Sequence, residues 1–294
     1  MSDKHNYQGR MIRFLGLALS GLGLLYVGLA LYRQCWLNAC SIPGGWSAWL
    51  LGTALFTIGL AALGPCWSLL VWRLRPDEPF PSMRLAGVHY SAQIAKYLPG
   101  NVFHYAFRHA GSRTTGASDL ALVDAALLES LVLALTALIL SAPILVVMWR
   151  AVLTHVAGLW MIPLLLIAAP LLLWILRRRF RLQASRRTAM VVVVAFFCTT
   201  FFFFLGSLSL WALFSEGRHG VGFFSTLSCF ALSWLCGYAT PGLPGGIGVR
   251  ESVLVLSFTL LGAGEVAPAA AVGLRLASIV GDTLLWMLGV ALRR

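Results

Sequence analysis

From Met11 to Leu292 the chain is a succession of apolar stretches of about 20 residues, parted by short runs that gather nearly all of its charge. As a helix rising ~1.5 Å per residue, each stretch is long enough to cross a hydrocarbon core of ~30 Å. Inside lipid every backbone N–H and C=O needs a partner within the protein, and a long continuous apolar run meets that need as a helix. Charged residues make up 11% of the 294 positions, where a soluble domain carries roughly 25%. Lipid is therefore the main solvent. The expected fold is an all-α polytopic integral membrane protein of about eight transmembrane helices, a single transmembrane domain over residues 1–294.

The expected spans run from about Met11 to Tyr32, Trp46 to Trp72, Leu120 to Met148, Leu153 to Leu176, Thr188 to Phe214, Val221 to Ala239, Ile247 to Leu261 and Pro268 to Leu292. The first is long and lacks a small-residue cleavage pattern, so it reads as a retained helix rather than a signal peptide. Residues 86–116 are too polar for an ordinary span and too apolar for a free loop.

Twenty-two Lys and Arg against 10 Asp and Glu give a net charge of +12. Nucleic-acid binding is the usual alternative for so basic a chain, but here the cations flank apolar spans, the pattern of cytoplasmic loops. No nucleic-acid partner is expected. Six arginines lie between Arg177 and Arg187, which marks that loop as cytoplasmic. Alternating spans then put both termini, the 73–117 region and the 239–251 region on the same side. A multi-pass protein of the cell inner membrane with both termini cytoplasmic is the expectation. Each half (1–180 and 181–294) reads as two spans, a Pro-Gly element and two more spans, which fits a 4+4 parallel repeat or a coincidence of span counting.

The six cysteines have no CxxC spacing, so neither a zinc site nor another cofactor is expected. Cys66, Cys198, Cys229 and Cys236 fall in apolar spans as packing residues. Cys35 and Cys40 share one short loop, where they are either two free thiols or a disulfide in an oxidising compartment.

Two Pro-Gly elements interrupt the pattern. In the first, Lys96 to Arg108, a helix starting at Asn101 would align Asn101, His104, Tyr105 and Arg108 as a polar stripe. Val102, Phe103, Ala106 and Phe107 would form the opposite, apolar face. Such a helix either lies flat at the interface or dips into the bilayer and turns its stripe to a cavity. The second, Thr240 to Glu251, packs two prolines and four glycines between Pro241 and Gly248 and cannot continue a helix. The following span, 15 residues from Ile247 to Leu261, measures about 22 Å and falls short of the bilayer core. Both elements are therefore expected to be re-entrant or partly unwound and to face each other. Gly245 and Gly246 before a helix N-terminus, with Arg250 in its first turn, form a natural anion site. The competing reading has the glycines serve tight packing while Arg250 snorkels to lipid phosphates.

Asp124 and Glu129 lie within the third span, Arg275 and Asp282 within the eighth. A mid-bilayer charge costs at least ~2.5–3.5 kcal/mol, so these residues should pair or line a polar path. Asp124 and Glu129 are about 140° apart on a helix and do not form one carboxylate face. Arg275 and Asp282 share a face two turns apart, too far for a direct bond. Glu129 or Glu251 is the expected partner of Arg275.

The run Leu243-Pro244-Gly245-Gly246-Ile247-Gly248-Val249-Arg250-Glu251 resembles the signature of the lysylphosphatidylglycerol synthase transmembrane family, also called flippase-like proteins. Lys96-Tyr97-Leu98-Pro99-Gly100-Asn101 is similar to its earlier Pro-Gly motif, and Leu127-Leu128-Glu129 and Gly273-Leu274-Arg275-Leu276 fit the same pattern. The resemblance implies a translocase for anionic or amino-acylated phospholipids, hopanoids or polyprenyl-linked sugars, working with a glycosyltransferase partner. The chain has no soluble aminoacyl-transfer domain, so lipid aminoacylation is not implied. On this reading Asn101, His104, Arg108, Gly245, Gly246 and Arg250 bind a phosphate headgroup, and Lys96, Glu129, Glu251 and Arg275 line or gate its path.

Two other classes compete. A membrane glycosyltransferase using a polyprenyl-phosphate donor needs a carboxylate base or metal near an outer loop. Those loops offer only Glu216 and Glu265, so an enzyme is not expected. A scaffold subunit of a glycosyltransferase complex would need the spans but not the buried charges. No ATP-binding motif is present, so transport would be downhill or ion-coupled.

Overall fold

The computed structural model describes residue 29 and residues 45–73, 83–98, 102–153, 186–214, 220–240 and 244–293. All of the first expected span but Leu29, all of the fourth but Leu153, Cys35 and Cys40, Pro99 to Asn101, Pro241 to Leu243 and most of the arginine loop lie outside the described residues. Among those described, the chain is helix and turn throughout. In order come α1 (Gly45–Ala61), α2 (Leu63–Trp72), α3 (Met83–Ala92), a 3₁₀ turn (Gln93–Tyr97), α4 (Phe103–Arg113), α5 (Asp119–Leu153), α6 (Arg186–Phe214), α7 (Phe223–Ala239), a second 3₁₀ turn (Pro244–Gly246), α8 (Val249–Leu260) and α9 (Ala267–Leu292).

Four stretches are long and apolar enough to cross a membrane: Gly45–Trp72, Asp119–Arg150, Arg186–Leu213 and Ala267–Leu292, with Phe223–Ala239 a shorter apolar helix. These match five of the expected spans closely. The expected seventh span is shorter still than its sequence suggests. The left-handed backbone of Gly245 (φ +56°), Gly246 (φ +70°) and Gly248 (φ +87°) delays regular helix to Val249. Twelve residues remain, about 18 Å of helix.

Large apolar side chains face outward as well as into the core. Ile139 on α5, Phe197 on α6 and Met287 on α9 turn outward, more than half exposed. Meanwhile Glu129, Thr136, Thr199 and Asp282 are buried. Water would drive the opposite arrangement; lipid does not penalise outward apolar surface, so packing and polar satisfaction decide what goes inside. Several interior hydroxyls are satisfied locally: Thr53, Thr57 and Ser207 each donate to the carbonyl four residues back. Thr136 and Thr199 meet across α5 and α6 at 2.9 Å.

Small residues set the closest helix contacts. On α1, Gly52 and Gly59 share a face against α6, where a Cβ on Gly59 would lie 3.0 Å from Leu205 Cβ. Helix α3 meets α9 backbone to backbone: a Cβ on Gly289 would lie 2.5 Å from the Ser91 nitrogen and 2.6 Å from the Gly87 oxygen. That contact draws residues 83–98 into the bundle beside the last helix. Between these seams Phe202, Phe203, Phe230 and Trp234 form an aromatic core of edge-on contacts, Phe203 against Trp234 at 5.3 Å and 89°. Trp234 in turn stacks on Tyr238 at 4.7 Å.

Candidate functional site

Helix α4 turns its polar stripe toward the bundle. Val102, Phe103 and Phe107 are 60%, 40% and 58% exposed, whereas Arg108 is 4% exposed. The apolar face points out of the bundle and the polar stripe points in. Glycine helps here: Gly111 has no side chain to push Val88 of α3 away.

Arg108 is held from three sides. Its Nη1 lies 2.5 Å from Glu129 Oε2, and its guanidinium sits 4.0 Å from the centre of the Trp67 ring and 5.1 Å from that of Tyr105. The other oxygen of Glu129 lies 3.4 Å from His89 Nε2 of α3. Glu129 therefore ties α5 to both α3 and α4. Asp124, one and a half turns earlier, pairs separately with Arg73 at the end of α2. The two carboxylates of the third span serve different partners, as their angular separation requires.

The second element is built by Glu251. Its Oε2 accepts the Gly248 N–H at 2.7 Å, closing the first turn of α8 on itself. Its Oε1 lies 3.6 Å from Arg275 Nε, and Arg275 Nη1 donates to the Gly245 carbonyl at 3.1 Å. Of the two partners expected for Arg275, Glu251 is the one found. The helix terminus expected to hold an anion is therefore not bare. A carboxylate already occupies the first turn of α8, so a phosphate there would meet negative charge. Gly246 is likewise a packing residue. A Cβ on it would lie 2.9 Å from Gly237 of α7, which fits the packing reading of that glycine.

What the two elements enclose is a cavity of about 80 Å³. Lys96, His104 and Arg108 line it from the first element, Gly245 and Arg250 from the second, and His89, Glu129, Trp234 and Tyr238 from the helices around them. The two elements touch directly, Tyr97 packing against Gly245 and lying under the Arg275 guanidinium at 5.4 Å. Lys96 Nζ donates to Asp282 Oδ1 at 2.7 Å, and the Tyr97 hydroxyl donates to Oδ2 at 2.5 Å. Arg275 and Glu251 lie one layer away, on a smaller cavity that shares Arg250 and Trp234.

Charge bookkeeping leaves an excess. Lys96, Arg108 and Arg275 each have a carboxylate partner, in Asp282, Glu129 and Glu251. Arg250 has none within ion-pair distance among the described residues; it lies 5.4 Å from the Trp234 ring centre. Its Nε is buried without a hydrogen-bond partner, as are Arg108 Nη2, His104 Nδ1 and Arg275 Nη2. Buried donors left open are costly. Three of them, on Arg250, Arg108 and His104, belong to residues lining the one cavity, beside the open Glu129 Oε1, and the two guanidinium groups suit an oxyanion with several lone pairs.

Of the residues expected at the site, Lys96, His104, Arg108, Glu129, Gly245 and Arg250 converge on the cavity. Glu251 and Arg275 support it from behind, Gly246 packs, and Asn101 lies outside the described residues. Sequence reasoning passed over His89, Trp234 and Tyr238. A histidine in a segment too apolar for a loop was a usable signal for His89. The two aromatics carried none, since apolar spans are full of such residues.

No family model, curated protein or solved structure matches the chain. The resemblance to the lysylphosphatidylglycerol synthase membrane region rests on its motif residues alone.

Proposed function

We propose that the chain is a lipid translocase, moving an anionic phospholipid, hopanoid or polyprenyl-linked sugar between leaflets. The observation that carries this reading is the buried cavity with one unpaired arginine. A cation-rich, donor-rich chamber inside an apolar bundle costs several kcal/mol to maintain, and a phosphate headgroup is a ligand that would repay it. Arg250 offers a planar fork to two oxygens of that phosphate. Lys96, His104 and Arg108 complete the chamber, and Glu129, Glu251 and Arg275 hold its walls.

In this reading both Pro-Gly elements are re-entrant and open toward the cytoplasm. The protein sits in the cell inner membrane with both termini cytoplasmic, its halves 1–180 and 181–294 form a parallel repeat, and a glycosyltransferase acts on the delivered lipid. The outward apolar face of α4 supports membrane depth for the first element, because an interfacial helix would turn Arg108 to water.

Proteoliposomes containing fluorescent phosphatidylglycerol test the reading. The parent protein should expose inner-leaflet label to a membrane-impermeant quencher. Arg250→Ala should weaken lipid binding by roughly ten- to a hundredfold, the equivalent of one charge-assisted hydrogen bond of ~1.5–3 kcal/mol. Arg250→Lys should fall between. An Arg250→Ala protein with parental melting behaviour that binds and moves the lipid like the parent would sink the proposal.

A further inference from the structure

Beside the cationic cavity, between α4 and α5, runs a second and larger one of about 440 Å³. Its character is different. Leu122, Val123, Ala126 and Leu127 of α5 form one wall and Ala106 of α4 part of the other, and Val123 and Leu127 at its lip are 46% and 39% exposed. The volume is within the ~300–1,000 Å³ typical of pockets that bury whole small ligands. Helix α5 is one of the stretches long and apolar enough to cross a membrane, so the groove faces lipid wherever that helix does.

The two cavities share Tyr105, Arg108 and Tyr238. At this common wall the Tyr105 hydroxyl hydrogen-bonds with the Tyr238 hydroxyl and, at 2.8 Å, with that of Ser130. From outside inward the order is therefore apolar groove, seam of hydroxyls, cationic chamber. A glycerophospholipid has the same order: acyl chain, ester oxygens, phosphate. Carbon chains match leucine and alanine walls, ester carbonyls accept from tyrosine hydroxyls, and phosphate matches arginine. A free phosphate or a soluble phosphorylated sugar would leave the groove without an occupant.

Resting on the translocase reading, we infer that the α4–α5 groove holds one acyl chain of a diacyl phospholipid whose phosphate lies in the cavity beyond the tyrosine seam. The groove is then the lateral entrance by which the lipid reaches the chamber from the bilayer.

Phosphatidylglycerol carrying a diazirine within one acyl chain, incorporated into nanodiscs with the parent protein, tests this without any substitution. Photolysis should place adducts on residues 105–109 and 122–130. Adducts confined to outward surfaces such as Leu284 and Met287 of α9 would overturn the inference. Ala126→Phe, which fills the groove, should lower adduct yield at least tenfold while leaving inorganic phosphate binding at its parental level. Parental adduct yield in that variant would also count against the groove. Arg250→Ala separates the two ideas. Loss of lipid and phosphate binding in that variant, together with adducts outside the groove in the parent, would remove the groove and leave the headgroup chamber standing. If Arg250→Ala changes neither binding, the chamber reading fails and the groove's role as its entrance fails with it.

Discussion

Lys96 and Asp282 stand 186 residues apart in sequence and meet at 2.7 Å, a cation from the first Pro-Gly element against a fully buried carboxylate of the last described helix. With Tyr97 on its other oxygen, Asp282 anchors the 3₁₀ turn to α9. The pair fixes the floor of the cavity, and a test of its energetics separates architecture from ligand binding.

Removing one partner of a buried pair strands the other, at a typical cost of about 3–5 kcal/mol, whereas replacing both with apolar groups is often nearly neutral. Lys96→Met and Asp282→Leu alone should each lower the melting temperature in detergent markedly. The double substitution should recover most of that loss. A double variant as unstable as the sum of the two singles would mean the pair is not coupled.

Glu129→Gln removes a negative charge from the chamber wall while leaving a similar shape. Arg108 then loses its partner, so stability should fall by a few kcal/mol. Anion affinity should move the other way, because the chamber gains one net positive charge. Isothermal titration with inorganic phosphate, beside a thermal melt, reads both signs. Weaker phosphate binding in a folded Glu129→Gln protein would contradict this electrostatic account.

Glycine contacts should differ in their tolerance. Gly289→Ala drives a methyl into the Ser91 and Gly87 backbone at 2.5–2.6 Å, so overpacking should cost at least the ~1–3 kcal/mol seen in tight cores. Gly273→Ala meets only the end of Leu213 at 3.4 Å and should be near neutral. Melting temperatures of the two variants should separate clearly, with Gly289→Ala the lower.

The arginine loop gives the orientation test. In a cysteine-free background, a single cysteine placed between Arg179 and Arg181 should react with an impermeant maleimide only after cells are opened. Labelling of intact cells would reverse the assigned topology.

Span positions were legible because apolar length is a one-dimensional property: α5, α6 and α9 fall where hydropathy and flanking charge put them. The convergence of Lys96, Arg108 and Arg250 was legible in part, since charges too costly for lipid must find one another. Which carboxylate each would take was not. Lys96 with Asp282 depends on how α3 and α9 approach, which Gly87 and Gly289 set, and Arg108 with Glu129 on how α4 seats against α3, where Gly111 meets Val88, three glycines among 29 in the chain. The role of Glu251 was legible in part, as one of two candidate partners for Arg275. A first-turn glutamate is ordinarily a helix-start signal, and the geometry shows that it does both, one oxygen on the Gly248 N–H and the other beside Arg275.

The inward face of α4 also sets an order of events during synthesis. Arg108 leaves the ribosome before Glu129 exists, and Lys96 waits for Asp282 over 186 residues, or about 10–40 s at ~5–20 residues per second. Arg108 gains its partner once α5 is made, whereas Lys96 lacks its own until α9 follows. The 3₁₀ turn that carries Lys96 completes its buried pairing only after the intervening helices are made. It can dock only when α9 arrives, so the last described helix to enter the membrane is the one that closes the chamber.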